Sequence, residues 1–185
     1  IFDLPVHRMW RGSLRDLSVC LHGRRASTPI GPAAGPHTQL AQNLVLGFLA
    51  GARVFELKTI QRNDTLRIPR PCISARDLCF NVEWSQELRL PQSLAEYVKG
   101  WLLIHTLRRR VLLRPEEVDF VFDASVGYDL AGIQSDPVAR FLDGLRDASQ
   151  PIREQLDSLD PALRRMLPDD IPTEVSRCVT LSTFH

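Results

Sequence analysis

The sequence predicts an α/β fold built from parallel strands that alternate with helices. Short segments typical of strands, at residues 30–34, 53–59, 120–127 and 178–182, are separated by segments with helical periodicity. Glycine and proline mark the boundaries between several of these segments. Four βα units in a row fit half of a TIM-type (β/α)8 barrel, or a small open sheet, since a full barrel takes about 250 residues.

The chain has 185 residues, enough for one domain with a substantial core. We assign residues 1–28 to an N-terminal extension with a small β-hairpin and residues 29–185 to the βα units. Residues 17–21 alternate apolar and polar side chains, and Gly23 supplies the predicted turn. We therefore expect residues 1–185 to form a single partial domain, the N-terminal half of a barrel.

The first βα unit opens with a short strand at residues 30–34 that proline and glycine interrupt. Thr38 is predicted to cap a largely buried helix that runs to Ala50, and Gly51 is expected to end it. The next strand occupies residues 53–59. The unit therefore places the residues that follow each strand at one rim of the sheet.

The later units are predicted from the same signals. Residues 60–80 are polar and contain Pro69 and Pro71, which predicts a long loop of a length that usually signals function. Ser93 is expected to cap a second helix. Other predicted elements are a short extended piece at 81–84, strands at 120–127 and 178–182, a third helix at 138–145 and charged helical turns at 150–172.

Composition narrows the classes of function. The net charge is +1, so no basic surplus points to nucleic acid, and no apolar run reaches the length of a membrane span. The four cysteines lack C-x-x-C spacing, which favours reduced thiols in a cytoplasmic protein. Cys72 and Cys79 would supply only half of a metal site, so we predict no metal.

Two pairs of polar residues are candidates for a site. Strand periodicity places Glu56 and Lys58 on one face, where a lysine directed into a packed interior needs an anion, a polarised ligand or a partner. The spacing alone favours a structural pair between the two residues. Asn81 and Glu83 also share a face if extended, where they suit a ligand edge, although an Asx-type turn is the commoner case.

Further candidates lie at the end of the third strand and in the helices. Ser125, Gly127 and Tyr128 fall at the rim where catalytic residues collect in barrels, and the alternative is a turn that requires glycine. We expect His37 to decorate a helix start and His105 to be a core histidine. The common nucleotide, zinc-protease and hydrolase motifs are absent from the sequence.

Several segments together resemble the flavin-binding barrels of the dihydroorotate and dihydropyrimidine dehydrogenase superfamily. They are LSVCLHG at 17–23, TPIGPAA at 28–34, KT at 58–59 and NVE at 81–83. The chain is more closely similar to the N-terminal barrel of the selenate reductase iron–sulfur subunit family. The segments that carry this are GPAAGPHTQLAQN at 31–43, ELKT at 56–59, FNVEWS at 80–85, SVGYD at 125–129 and TLSTFH at 180–185. Asp129 departs from the Asn expected there in some relatives.

The resemblance implies an FMN-dependent oxidoreductase that moves hydride or electrons between the flavin and an unidentified substrate. It implies that the flavin is lined by Ala33, Ala34 and Gly35. It implies that Lys58 and Thr59 contact the flavin ring. Asn81 and Glu83 would then face the substrate or the edge of the flavin. A lysine suits the negative charge that a reduced flavin builds near N1.

The resemblance also implies that the full-length protein carries FAD, NAD(P)H and 4Fe-4S centres elsewhere. The family's acid/base cysteine and the phosphate-binding loops fall beyond residue 185, so we expect this chain alone to hold FMN weakly or not at all. The expected partners are the remainder of its own polypeptide, an oxidoreductase subunit or a second copy. Two alternatives stay open: a non-catalytic structural or docking barrel, and a non-flavin barrel enzyme acting on a phosphorylated small molecule.

Overall fold

A computed structural model describes residues 5–12, 15–62, 73–74, 80–81, 88–110 and 119–183. The strands are β1 Val19–Leu21, β2 Arg24–Ala26, β3 Val54–Glu56, β4 Ile73–Ser74, β5 Phe80–Asn81, β6 Val121–Tyr128 and β7 Val179–Thr183. The α-helices are α1 Ala41–Ala50, α2 Leu90–Arg110, α3 Leu130–Ile133, α4 Asp136–Arg146, α5 Ser149–Asp157 and α6 Pro161–Arg164. Short 3-10 helices occupy Val6–Arg8 and Pro36–Thr38.

The central sheet is parallel, with the strand order β3-β6-β7. The strand predicted at residues 30–34 does not form as a regular strand. Instead, Ile30 O accepts hydrogen bonds from Arg53 N at 2.8 Å and Val54 N at 3.2 Å, and Pro32 O accepts one from Glu56 N. Proline has no backbone N–H to return such a bond, so this extended segment runs beside β3 as an acceptor only. The lateral order is therefore 30–32, β3, β6, β7, the consecutive order of barrel strands.

The predicted hairpin is confirmed as the antiparallel pair β1–β2. His22 and Gly23 at its tip both have positive φ, 51° and 76°, as in a two-residue type I′ turn. The chain leaving the hairpin is fixed below β6, because Ser27 N donates to Asp119 O at 2.9 Å and Asp119 N donates to Ser27 Oγ at 2.7 Å. The hairpin therefore lies at the N-terminal end of the parallel strands.

The core lies between the sheet and the helices that follow its strands. Phe55 and Phe122 are paired in register, both fully buried, and their rings meet edge to face at 5.4 Å. Trp101 of α2 packs against Phe122 at 5.5 Å. One face of each strand therefore points to the helices, and the other face points to the side that becomes the lumen in a barrel.

Two predicted helix starts were wrong. Thr38 lies in the 3-10 turn, where its hydroxyl bonds to the backbone of Gly35, and α1 begins only at Ala41. Ser93 is a buried residue inside the first turn of α2, and at the helix start Arg89 N donates to Gln92 Oε1 instead. Both residues bond locally or face the core, which capping preferences cannot reveal. Gly51 ends α1 with φ of 113°, as predicted.

Strand β7 has an uncovered outer face. Leu181 pairs in register with Val126, which is fully buried, yet 58% of Leu181 is exposed. Within residues 119–183 no strand pairs with the second edge of β7. The parallel sheet therefore ends in an open edge with an apolar side chain, the position where a barrel would add its next βα unit. Among the described helices, none is long and apolar enough to cross a bilayer.

Candidate functional site

The candidate site is the rim formed where the parallel strands end. Three segments meet there: residues 33–35 after the first extended segment, residues 58–60 after β3, and residues 125–128 at the end of β6. The contact between the second and third is direct, since Thr59 Oγ1 and Ser125 Oγ lie 2.9 Å apart. In parallel α/β folds this rim is where ligands bind.

A β-bulge separates β3 from this rim. Leu57 N donates to Asp123 O at 2.8 Å, but the next bond to β6 comes from Ile60 N to Ser125 O at 3.0 Å. Three steps along one strand therefore match two along the other, and the pairing offset changes by one between Val54–Val121 and Ile60–Val126. Bulges of this kind re-aim side chains beside active sites.

The bulge corrects the simple alternation that the sequence predicts for residues 53–59. Strict alternation places Thr59 on the face opposite Lys58, directed away from the lumen side. With the extra residue, Thr59 meets Ser125, which lies on the same face of β6 as Asp123. Both residues of the Lys-Thr pair thus belong to the rim.

Lys58 is buried, with 3% of its surface exposed. Its Nζ donates to Thr59 O at 3.3 Å. Its backbone is fixed from the core side, because the hydroxyl of Tyr97 donates to Lys58 O at 2.8 Å, and burial raises the pKa of that tyrosine. The lysine is therefore positioned by α2 as well as by its own strand.

The loop before α1 is tied to β3 by a carboxylate. Glu56 Oε2 accepts a hydrogen bond from Ala34 N at 2.9 Å. Within the loop, Thr38 Oγ1 both accepts from Gly35 N at 3.2 Å and donates to Gly35 O at 3.0 Å. Ala33 is exposed and Ala34 half-buried, so the two predicted flavin-lining methyl groups lie at the surface of a loop with a fixed backbone.

A row of polar side chains runs across the lumen side of the sheet. Asp123 Oδ2 accepts from Thr180 Oγ1 at 2.7 Å, and Thr180 is the register partner of Ser125. Burial raises the pKa of Asp123, with Glu56 acting in the same direction and the Thr180 hydrogen bond opposing both. Asp123 Oδ1 is buried and has no partner among the described residues.

The end of β6 combines strain with a helix cap. Tyr128 has a backbone φ of 101°, which residues other than glycine rarely adopt. Gly127, by contrast, does not have a positive φ. The interpretation of this position as a turn that requires glycine was therefore wrong. Asp129 caps α3, since its carboxylate accepts from Gly132 N at 2.6 Å. That capping role accounts for an acidic residue at this position.

No described contact joins the remaining polar candidates to this cluster. Asn81 pairs with Ile73 in the small β4–β5 ribbon, and nothing further is described for its side chain. Glu83, like Cys72 and Cys79, falls outside the described residues. The described parts of the chain hold no group of three potential metal-ligating side chains.

Of the two histidines considered in the sequence, one lies at the surface and the other in the core. His37 is exposed within the 3-10 turn before α1. His105 is buried in the core against Trp101, as predicted, with ring centroids 4.5 Å apart. Its Nε2 nevertheless lacks a hydrogen-bond partner in the described structure, and burial lowers its pKa to about 4.

The sequence did not indicate roles for Asp123 and Thr180, or the contact between Thr59 and Ser125.

The sequence holds one further signal for the importance of Lys58. Of the 23 basic residues, only Lys58 and Lys99 are lysines, and the rest are arginines. In an arginine-rich chain, a lysine at a strand end favours a compact charge at that point over a planar fork.

Comparison with known proteins identifies relatives of the whole chain. A family profile described as "Oxidoreductase YgfK, N-terminal TIM-barrel domain" matches residues 2–185. Two curated proteins named "Putative oxidoreductase YgfK", from Escherichia coli strain K12 and from Escherichia coli O157:H7, are each 40% identical over 204 residues. These alignments cover 100% of this chain and 20% of each relative, so the chain spans about a fifth of their length.

A solved structure also shares some similarity. The ligand-free type DHODH from Eimeria tenella matches with a TM-score of 0.38 and 15% identity, over 91% of this chain and 53% of that one. The family profile, together with the β1–β2 hairpin and the parallel βα units, confirms the predicted fold class, a partial TIM-type barrel with a preceding hairpin. None of these descriptions mentions selenate.

Proposed function

Because the chain belongs to the family of YgfK N-terminal TIM-barrel domains, we propose that it forms the first wall of an FMN site in a larger oxidoreductase. Electrons or hydride would pass there between the flavin and a substrate. The observation that carries the proposal is the bulge after β3. It brings a buried lysine and the Thr59–Ser125 hydroxyl pair to the rim, beside a loop of small residues.

The residues present fit a flat, electron-rich group. Lys58 is a buried cation at the rim, and its positive charge suits a ligand with negative or polarised atoms. Gly31 passes so close to β3 that a Cβ would lie 1.3 Å from Val54 O. Ala33 and Ala34 add only methyl groups, so a planar ring could approach this backbone.

When bound, FMN would supply the redox chemistry. The chain's own residues would hold and polarise it. Lys58 would place positive charge at the ring edge, and Thr59 and Ser125 share one hydroxyl proton between them, which leaves the other free to donate. Glu56 would keep the loop in place through Ala34 N. Asn81 and Glu83 would face the substrate or the flavin edge.

The rest of the same polypeptide would complete the site. The open edge of β7 and the exposed Leu181 support a further βα unit at that edge. We propose that the later part of the protein supplies the phosphate-binding loops, the acid/base residue, and FAD, NAD(P)H and 4Fe-4S centres. A cytoplasmic location is part of the same proposal and fits the exposed free thiol of Cys20.

The test uses the full-length protein and starts with cofactor extraction and an absorbance spectrum. One FMN per barrel domain is expected. Lys58→Met should lower FMN content and shift the midpoint potential of the remaining flavin downward, because a cation near the ring favours its reduced form. Lys99→Met is the matched control: it removes the only other lysine of residues 1–185, which pairs with Glu96 on the outer side of α2, and both properties should stay unchanged.

Each alternative predicts a different result. A full-length protein without FMN, but with other cofactors present, would favour a structural or docking barrel. A phosphorylated small molecule in the extract, with no flavin, would favour a non-flavin barrel enzyme. If Lys58→Met changes neither the FMN content nor the midpoint potential, flavin binding would stand but the proposed role of the lysine would be wrong.

A further inference from the structure

Away from the rim, the outer surface of the domain carries an apolar groove. It lies between the second half of α2 and the helices α5 and α6, with a volume of about 420 Å³. We call it the α2–α6 groove. The apolar side chains that line it are Leu102, Leu103, Leu159, Leu163, Met166 and Leu167.

Large apolar side chains are exposed together in this groove. Leu103 is 47% exposed, Leu163 is 52% exposed and Met166 is 56% exposed. Single exposed leucines are common on protein surfaces, but a contiguous apolar patch usually marks an interaction site. The groove is therefore a candidate binding site for another segment or protein.

The walls of the groove are held in shape without an occupant. Asp160 caps α6 by accepting from Ala162 N at 2.7 Å, and Arg164 pairs with Asp157 at 3.0 Å. On the α2 side, Arg110 Nε donates to Met166 O at 3.2 Å. These contacts tie α6 to both α5 and α2, so the groove is a preformed concave surface.

We propose that the α2–α6 groove is the docking site for an amphipathic helix from the later part of the same polypeptide. The family description places this barrel at the N-terminus, and the chain covers 20% of its relatives, so about four fifths of such a protein lies outside this chain and can supply the docking helix. A helix with apolar residues at i, i+3 or i+4, and i+7 fits a groove between helices.

The size of the groove favours a tethered occupant over a free one. Ten residues line it, whereas a standard stable interface uses about 20–30 residues on each side. A segment of the same chain needs less contact, because its covalent link makes docking an intramolecular step. A second copy or an unrelated protein has no such advantage. The inference does not depend on flavin binding.

The experiment is site-specific photo-cross-linking in the full-length protein. The photoreactive residue p-benzoyl-phenylalanine replaces Leu163 in one variant and Met166 in another, and mass spectrometry identifies the cross-linked peptides. Both variants should cross-link within one polypeptide to the same short segment beyond residue 185. The matched control places the probe at Leu130, which is 65% exposed and lies in α3 after β6, and it should not reach that segment.

Three outcomes would overturn the proposal. They are cross-links that join two copies, cross-links to another protein, and no cross-link beyond residue 185 from either groove position. A second measurement covers misfolding of a probe variant: Leu103→Glu should increase proteolytic cleavage of the docked segment at least several-fold in the full-length protein. An unchanged cleavage pattern in that variant would also count against docking.

Discussion

Lowering the pH from 7 to 5 is expected to destabilise the fold through one buried histidine. His105 of α2 is 8% exposed, and its ring packs between Trp101 at 4.5 Å and Phe120 at 5.3 Å. Its Nε2 has no hydrogen-bond partner in the described structure. A second proton on this ring would place a charge in an aromatic core, so the folded state resists protonation.

The charged neighbours of the ring act mostly in the same direction. Burial is the largest cause that lowers the pKa of His105, to about 4, and Arg108, Arg109 and Arg24 lower it further. Asp170 opposes them. The unfolded chain binds the proton near pH 6.5, so this contribution to stability is complete above that pH and is lost as the pH falls towards 4.

The size of the effect follows from the two pKa values. A folded-state pKa of about 4 against about 6.5 in the unfolded state lowers the free energy of unfolding by about 2 kcal/mol between pH 7 and pH 5. His105→Leu removes this proton-binding site and fills the same position with an apolar side chain. Between pH 7 and pH 5, the wild type should therefore lose about 2 kcal/mol more than the variant does.

The assay is urea unfolding of the chain, followed by circular dichroism at both pH values. Carboxylates also titrate in this range, so only the difference between wild type and variant is informative. His7→Leu, at an exposed position in the first 3-10 turn, is the control and should lose as much as the wild type. The reasoning is refuted if His105→Leu is as sensitive to pH as the wild type.

Substitutions at three further positions test how the rim is built, each by its effect on urea unfolding. Gly31→Ala should destabilise the chain by about 3 kcal/mol or fail to fold, because its Cβ would overlap Val54 O; a near-neutral result would contradict that close approach. Asp129→Ala should cost about 1 kcal/mol by removing the cap of α3, while Asp129→Asn should cost much less, and equal losses would exclude capping. Tyr97→Phe should cost about 1 kcal/mol, because Lys58 O loses its donor; in the full-length protein it should also lower FMN content, and unchanged content would separate the core hydrogen bond from the site.

The order of the elements could be predicted from local signals in the sequence. The His22–Gly23 turn, the helix end at Gly51 and the third parallel segment, β6, all follow from turn chemistry and hydrophobic periodicity. The helix starts at Thr38 and Ser93 could not be predicted in this way. A serine or threonine before an apolar run satisfies the capping pattern whether it bonds its own turn or faces the core.

The sequence by itself determined the α/β class, the four parallel segments and the segment that contains the rim lysine. Tertiary structure alone decided which side chains meet at that rim and where its backbone is strained. The bulge that moves Thr59 beside Ser125 depends on which amide of β3 bonds to which carbonyl of β6. The strain at Tyr128 depends on how β6 runs into a capped helix. Both are relations between segments distant in sequence, and residue propensities describe only near neighbours.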